Sequence, residues 1–161
     1  MARRKRTGYV PPEEIIARIE RHRLSYYLSR PDNLDPSGLG DEALLDIEAL
    51  IEIASPRHSS QVGETIEITL ACARSYRPED ATSQQNRPVL FGVTLTRSQR
   101  SSLSYLPSEA FWPIPSLIKD GLYTHIELRF SPLFRGHGDL LSIWFGKAPI
   151  LDELQAAPAK A

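Results

Sequence analysis

Cysteine is almost absent from this chain, which has Cys72 alone among 161 residues. A single cysteine excludes an internal disulfide framework and a zinc site made of several thiolates. Long apolar runs are missing too, and none approaches the roughly 20 residues that a membrane-spanning helix needs. The basic start MARRKR leads into TGYVPPEE and not into an apolar segment, so we expect no secretory signal. These absences predict a cytoplasmic protein without a membrane partner.

Motifs that bind nucleotides or metals are lacking as well. Neither GxGxxG nor GxxxxGK followed by Ser or Thr occurs, although glycine-rich loops of these kinds are what cradles phosphate groups. The chain has four histidines, His22, His58, His125 and His137. They are widely and unequally spaced, whereas a metal site needs several ligands that converge on one point. We therefore predict neither a cofactor nor a bound metal.

Charge is distributed unevenly, although the net charge is only −1. Residues 1–30 contain eight Lys or Arg against three Asp or Glu, which gives +5, and residues 31–70 contain Arg57 against nine acids, which gives −8. A compact cationic run can neutralise phosphates and add salt-sensitive affinity for nucleic acid. We predict such a contact through seven basic residues, Arg3, Arg4, Lys5, Arg6, Arg18, Arg21 and Arg23. The acidic strip 41–67 could receive a basic partner or the protein's own arginines.

The first part of the chain predicts a helix. In PPEEIIARIERHRLSYYLS, Pro12 suits a first helical turn, and the two glutamates after it complement the positive end of a helix. The isoleucines of IIARI follow helical spacing. The prolines and glycines of RPDNLDPSGLG then end the helix. We predict a flexible basic tail over residues 1–11 and an N-terminal helix with its linker over residues 12–40.

The rest of the chain is rich in strand patterns. In TIEITLAC apolar residues alternate with polar ones, and VLFGVTLTR, HIELRF and DLLSIWF show the same period of two. Strands of this kind between polar turns predict an antiparallel β-sandwich over residues 41–148, followed by a flexible tail over residues 149–161. DEALLDIEALIEIA fits a strand or a helix, so the alternative is an α+β fold with a second helix over residues 41–54.

Two stretches resemble immunoglobulin-like or fibronectin-like domains at the level of the fold. ASPRHSSQVGETIEITL is similar to the passage from the first to the second strand in bacterial domains of these folds. LIKDGLYTHIEL resembles their tyrosine corner, in which a tyrosine follows a leucine by six residues, as Tyr123 follows Leu117. The resemblance covers these two stretches, so it implies a sandwich fold and no particular family.

The stretch FRGHGD raises the question of catalysis. His137 could act as a general base, with Asp139 to orient it and Arg135 to hold an anionic substrate. Its glycines also suit a reversal between strands, because glycine adopts positive φ without steric cost. The strand patterns on both sides favour a turn, and no nearby nucleophile completes a catalytic site. We predict a hairpin turn whose tip faces outward.

The stretch AFWPIPSLI is the predicted protein contact. Its prolines exclude a central strand, and aromatic residues presented in this way anchor interfaces. The candidate interface residues are Phe111, Trp112, Ile114 and Leu117. The alternative is that these side chains cover the open end of the sandwich.

Together these patterns predict a non-enzymatic binding module, namely a small adaptor, regulator or assembly subunit of a larger complex. Its partner is expected to be another protein or a second copy of the chain, with nucleic acid contacted through residues 3–6. One alternative is a capsid-like structural subunit of a virus or phage, since such subunits combine a β-sandwich with a basic arm. Another alternative is a small hydrolase or transferase that uses Arg135, His137 and Asp139.

Overall fold

A computed structural model of the chain describes residues 10–29, 40–73 and 90–147, and these residues form seven strands and three short helices. The strands are β1 (Glu13–Ser29), β2 (Gly40–Ala54), β3 (Thr65–Ala73), β4 (Leu90–Leu95), β5 (Arg100–Tyr105), β6 (His125–Phe130) and β7 (His137–Gly146). A 3₁₀ helix (Pro56–Gln61) separates β2 from β3. Two α-helices, α1 (Ser108–Phe111) and α2 (Pro113–Lys119), lie between β5 and β6.

The strands form a closed barrel in the order β1-β2-β3-β5-β4-β7-β6. Neighbouring strands are antiparallel except β3 and β5, which are parallel. The barrel closes because β1 pairs with β2 on one side and with β6 on the other. The mainly-β prediction is confirmed, but the sandwich is wrong. Strands of a sandwich and of a small barrel both alternate apolar and polar residues, so this pattern leaves the choice of neighbours open.

The core fills the barrel interior with side chains from alternate positions of the strands. On β3 the predicted apolar face is confirmed, since Ile66, Ile68, Leu70 and Cys72 are all buried. Aliphatic residues of β2, β4 and β6 meet them inside. Phe111 of α1 and Ile114 of α2 join the same core, so the two short helices cover one end of the barrel. Burial of this apolar surface is the main stabilising contribution to the fold.

The N-terminal helix predicted within residues 12–40 is wrong, because β1 occupies this part of the sequence. Its pairing register with β2 shifts twice, between Ile16 and Ala17 and between Ile19 and Arg21. The first shift skips Glu52 of β2, and the second skips Glu20 of β1, which interrupts the strict alternation of β1 at that point. Ile15 and Ile16, although adjacent, are both buried. The result is an apolar spacing that imitates the period of a helix.

The alternative of a second helix over residues 41–54 is wrong as well, since β2 covers this segment. Leu45, Ile47, Ala49 and Ile51 are buried on the inner face, as strand alternation requires. Leu50, which breaks the apolar alternation in the sequence, is half-buried on the outer face and pairs with Arg18. Sheet pairing on both sides of β2 outweighs the helix propensity of its Ala, Leu and Glu residues.

The predicted turn in FRGHGD is confirmed. Phe134 and His137 bond to each other through both backbone groups, at 2.8 and 3.0 Å. Between them Arg135 has φ 52° and Gly136 has φ 84°. Two successive positive φ values are typical of the type I′ turn, whose twist matches that of paired strands. The turn therefore joins β6 to β7.

The predicted division of the chain places residues 12–40 outside the β-domain, whereas β1 is a full member of the barrel. The tail expected over residues 149–161 and nearly all of that over residues 1–11 lie outside the described residues. In the three described segments, no helix is both long and apolar enough to cross a membrane.

Candidate functional site

The candidate site is the edge of β1 where this strand extends beyond β6. Residues 13–18 pair with β6, and the N–H of Ile19 donates to the carbonyl of Thr124 at 2.9 Å. From Arg21 onward the strand continues along β2. Among residues 10–29, 40–73 and 90–147, β2 is the one strand that pairs with residues 21–25. Their opposite side is therefore an open sheet edge within the described part of the chain.

The backbone groups that face this edge follow from the hydrogen bonds of β2. Ile51 donates its N–H to Glu64 and accepts from Gly63, so Ile51 faces the β3 side. Backbone direction alternates along a strand, and Glu48 and Asp46 therefore face β1. The register pairs Glu48 with Arg21 and Asp46 with Arg23 of β1.

On β1, Arg21 and Arg23 are the register partners of Glu48 and Asp46. Their backbone groups are therefore bonded to β2, and those of His22 and Leu24 point to the open edge. The register shift at Glu20 causes this arrangement, because an inserted residue reverses which positions face each neighbour. An edge of this kind offers N–H and C=O groups in the spacing that another strand requires.

The side chains along this edge are aromatic, apolar and basic. Leu24 is 44% exposed, and Tyr27 is 63% exposed. Arg21 and Arg23 share the outer face of the sheet with Tyr27. Leu24 pairs with the buried Leu45 of β2, so it continues the apolar inner face of the barrel to the edge.

The arginines of β1 bind the acidic residues of β2. Arg21 Nε donates to Glu48 at 3.0 Å, and Arg23 lies 3.4 Å from Asp46. Asp46 also accepts from Thr69 Oγ1 at 3.0 Å. These pairs line a shallow groove of about 500 Å³ across the outer faces of β1, β2 and β3. Arg21 and Arg23, two of the residues predicted to contact nucleic acid, are therefore paired with carboxylates of the same sheet.

Arg18 belongs to a separate cluster with Glu52 and His125. Arg18 Nε donates to Glu52 at 2.6 Å, and His125 Nε2 lies 3.2 Å from the other oxygen of this carboxylate. Partial burial opposes ionisation of Glu52, but the hydrogen bonds from Arg18 and His125 together lower its pKa. The hydrogen bond to Glu52, followed by the charge of Glu20, raises the pKa of Arg18. His125 is buried and also bonds Thr124, so this cluster fastens β1 to β2 and β6.

The residues predicted for catalysis lie at the β6–β7 hairpin, but they do not form one site. His137 Nδ1 bonds Thr94 Oγ1 at 3.0 Å. Asp139 is held through its backbone N–H, which donates to Ser131 Oγ at 2.9 Å. The guanidinium of Arg135 lies 5.3 Å from the ring centre of Phe134. No hydrogen bond or ion pair among the described residues joins His137 to Asp139.

The residues predicted as a protein interface divide between core and surface. Phe111 is fully buried and Ile114 nearly so, whereas Trp112 is 45% exposed. Leu117 is half-buried, and its carbonyl accepts from the N–H groups of Leu122 and Tyr123. Phe111 and Ile114 therefore help to cover the barrel end, as the alternative drawn from the sequence has it, whereas Trp112 lies on the surface. Arg3, Arg4, Lys5 and Arg6 lie outside the described residues.

No group of three or more His, Cys, Asp or Glu side chains in the described segments is placed to hold a metal ion. Comparison with protein families, with curated proteins and with solved structures gives no match to this chain.

The open edge of β1 is the feature that sequence reasoning missed. Its signal is RHRLSYYLS, which alternates between basic or polar residues and Leu24 or a tyrosine. This segment reads as a strand once the register shift at Glu20 is allowed for. Only the pairing of residues 13–18 with β6 reveals that the following residues lack a neighbour there in the described structure.

Proposed function

We propose that the protein is a non-enzymatic binding module of the cytoplasm that receives an extended protein segment at the open edge of β1. The observation that carries this proposal is the orientation of His22 and Leu24, whose backbone N–H and C=O groups face away from β2. A partner strand would satisfy these groups and extend the sheet.

The side chains beside the edge support a protein partner. Leu24 and Tyr27 offer apolar and aromatic contact area, which adds specificity to the backbone pairing. The arginines on the outer face are paired with Glu48 and Asp46, so a strand can approach without meeting uncompensated positive charge. These features fit a small adaptor or an assembly subunit.

Hydrogen exchange of individual backbone amides tests the proposal. In the monomeric protein, at high dilution, we expect fast exchange at His22 and Leu24, and slow exchange at Arg21 and Arg23, which bond to β2. In the complex purified from its own cell, the amides of His22 and Leu24 should exchange slowly as well. Protection of His22 and Leu24 in the monomer would show that the edge is already occupied within one chain.

A proline substitution at the edge tests the same contact by mutagenesis. Leu24→Pro removes an N–H that faces the edge, and proline is tolerated at such positions because no ladder bond is lost. We expect this variant to fold and to lose the partner. Leu103→Ala, which truncates a similarly exposed leucine on β5, should retain the partner. Equal retention by both variants would contradict the proposal.

The other functions predicted from the sequence have less support. The capsid-like subunit rested on a sandwich, which is wrong, and on a basic arm that lies outside the described residues. The hydrolase or transferase rested on His137 with Asp139, and in the described structure His137 bonds Thr94. Nucleic-acid binding through β1 would require breaking the pairs that Arg18, Arg21 and Arg23 form with β2.

A further inference from the structure

We propose that the strand received at this edge is β1 of a second copy of the chain, paired antiparallel about a twofold axis at Leu24. This inference rests on the proposed function and specifies the partner. It follows from the order of side chains along the edge, which is complementary to itself in the antiparallel direction.

An axis at Leu24 places each arginine of the open edge, Arg21 and Arg23, opposite a neutral residue. Arg23 lies opposite Ser25 of the second copy, and Arg21 lies opposite Tyr27 of the second copy. All of these residues share the outer face of β1. An axis at Arg23 would instead bring two arginines together, and like charges directly opposite each other are destabilising. Charge therefore selects against that register.

Leu24 is suited to the axis because its backbone faces the edge. Two copies of such a residue exchange both N–H···O=C bonds in an antiparallel ladder. Their side chains then meet on the inner face, where Leu24 is 44% exposed in a single molecule. The contact removes apolar surface from water and joins the two sheets into one.

The outer face gains a cation–π contact in this arrangement. Arg21 is brought to the ring of Tyr27 from the second copy, and a guanidinium over a tyrosine ring is attractive. The positive charge of Arg21 is already matched by Glu48, and that of Arg23 by Asp46. In each copy the arginines beside the contact are therefore paired with carboxylates, so the two copies approach without net repulsion between these arginines.

Two variants that place opposite charges at residue 24 test the inference. Leu24→Lys places two cations against each other, and Leu24→Glu places two anions against each other, so each variant alone should be monomeric. We expect the dissociation constant of each to rise by roughly tenfold or more, as like-charge contacts at an interface do. An equimolar mixture of the two variants should restore the dimer, because each axis then holds one Lys and one Glu.

Sedimentation equilibrium over a range of protein concentrations measures the result. The full chain should approach twice its mass of 18.1 kDa, and each Leu24 variant should stay at 18.1 kDa until the two are mixed. Leu103→Lys and Leu103→Glu are matched controls on a leucine of 39% exposure, and both should dimerise like the unaltered chain. Circular dichroism and thermal unfolding verify that every variant is folded.

The outcomes separate this inference from the proposed function. Dimerisation by either Leu24 variant alone, or failure of the mixture to dimerise, would overturn the twofold contact. A monomeric chain with fast amide exchange at His22 and Leu24 would also overturn it, yet would leave the edge open to a different protein. A monomeric chain with slow exchange there would overturn both.

Discussion

Glu48 of β2 lies directly opposite Glu67 of β3, and Arg21 of β1 is bonded to Glu48 from the other side. Two like charges opposite each other on one face of a ladder repel. The arginine therefore compensates a repulsion within the sheet, in addition to joining β1 to β2.

Removing this repulsion should stabilise the protein. We expect Glu67→Gln to raise the free energy of unfolding by roughly 0.2–1 kcal/mol, the range of cross-strand pair effects. Arg21→Gln should lower it by a similar amount, and by less when Glu67 is already Gln. Urea denaturation of the unaltered chain, the two single variants and the double variant gives the coupling free energy between residues 21 and 67. A coupling of zero would show that Arg21 does not compensate the repulsion.

The two adjacent aromatic residues of the barrel end should differ sharply in their effect on stability. Phe111 is fully buried, and its loss leaves a cavity, so Phe111→Ala should cost about 3–5 kcal/mol. Trp112 contacts Phe111 edge-on at 5.2 Å but is half exposed, so Trp112→Ala should cost less than about 1 kcal/mol. Chemical denaturation measures both, and similar losses would refute the assignment of Phe111 to the core.

The β6–β7 turn should be sensitive to the loss of glycine. At Gly136 a Cβ would stand 2.6 Å from Thr96 Cγ2 and 3.0 Å from the carbonyl oxygen of Leu95. Gly63 has almost the same positive φ, but nothing lies within 4 Å of its Cβ position. Gly63→Ala should therefore cost about 1–2 kcal/mol from φ alone. Gly136→Ala should lower the melting temperature further, and an equal loss at both sites would exclude the steric effect.

Two serines inside the barrel offer a route to higher stability. The hydroxyls of Ser102 and Ser104 are buried and have no hydrogen-bond partner in the described structure. Such a group retains its cost of dehydration, so Ser104→Ala should raise the free energy of unfolding by about 1 kcal/mol. Ser101, whose hydroxyl accepts from Gln99, is the control, and Ser101→Ala should give no gain. A loss of stability in Ser104→Ala would indicate that its hydroxyl is satisfied.

Glu127 should make stability fall as pH rises. Its cross-strand neighbours are Ile16 and Trp144, and burial, with a smaller contribution from Glu14, raises its pKa above the ordinary 4.5. A carboxyl whose pKa is higher in the folded state opposes folding once ionised. Glu127→Gln should therefore raise the melting temperature at pH 7, and the advantage should shrink as pH falls through 4.5. A constant difference across this range would contradict the raised pKa.

The strand patterns predicted most of the barrel wall, but not how the wall is joined. The inner faces of β3 and β6 and the turn at Arg135 and Gly136 follow from local rules of alternation and φ. The parallel pairing of β3 with β5 does not, because pairing of distant segments leaves no mark on local periodicity. The sequence of β1 imitates a helix because Ile15 and Ile16, although adjacent in a strand, are both buried.

The candidate site depended on the same missing information. Arg18, Arg21 and Arg23 were singled out as contacts for an anion, yet their partners on β2 could be assigned only from the register. One of the alternatives that the sequence predicts for the acidic strip is that it receives the protein's own arginines, and Glu52, Glu48 and Asp46 do so. An open edge is defined by the neighbour that a strand lacks, so it becomes visible only when the sheet is assembled.

The ladder between β1 and β6 has a consequence for how the protein is made. It joins residues 13–18 to residues 125–130, so β1 leaves the ribosome well before the strand that it pairs with. Such distant contacts have high contact order, which slows folding. Until β6 arrives, β1 exposes an edge along its whole length, and the nascent chain is then most open to association with other chains. Pairing with β6 then covers the edge as far as Ile19, and in the described segments the part beyond Ile19 stays open.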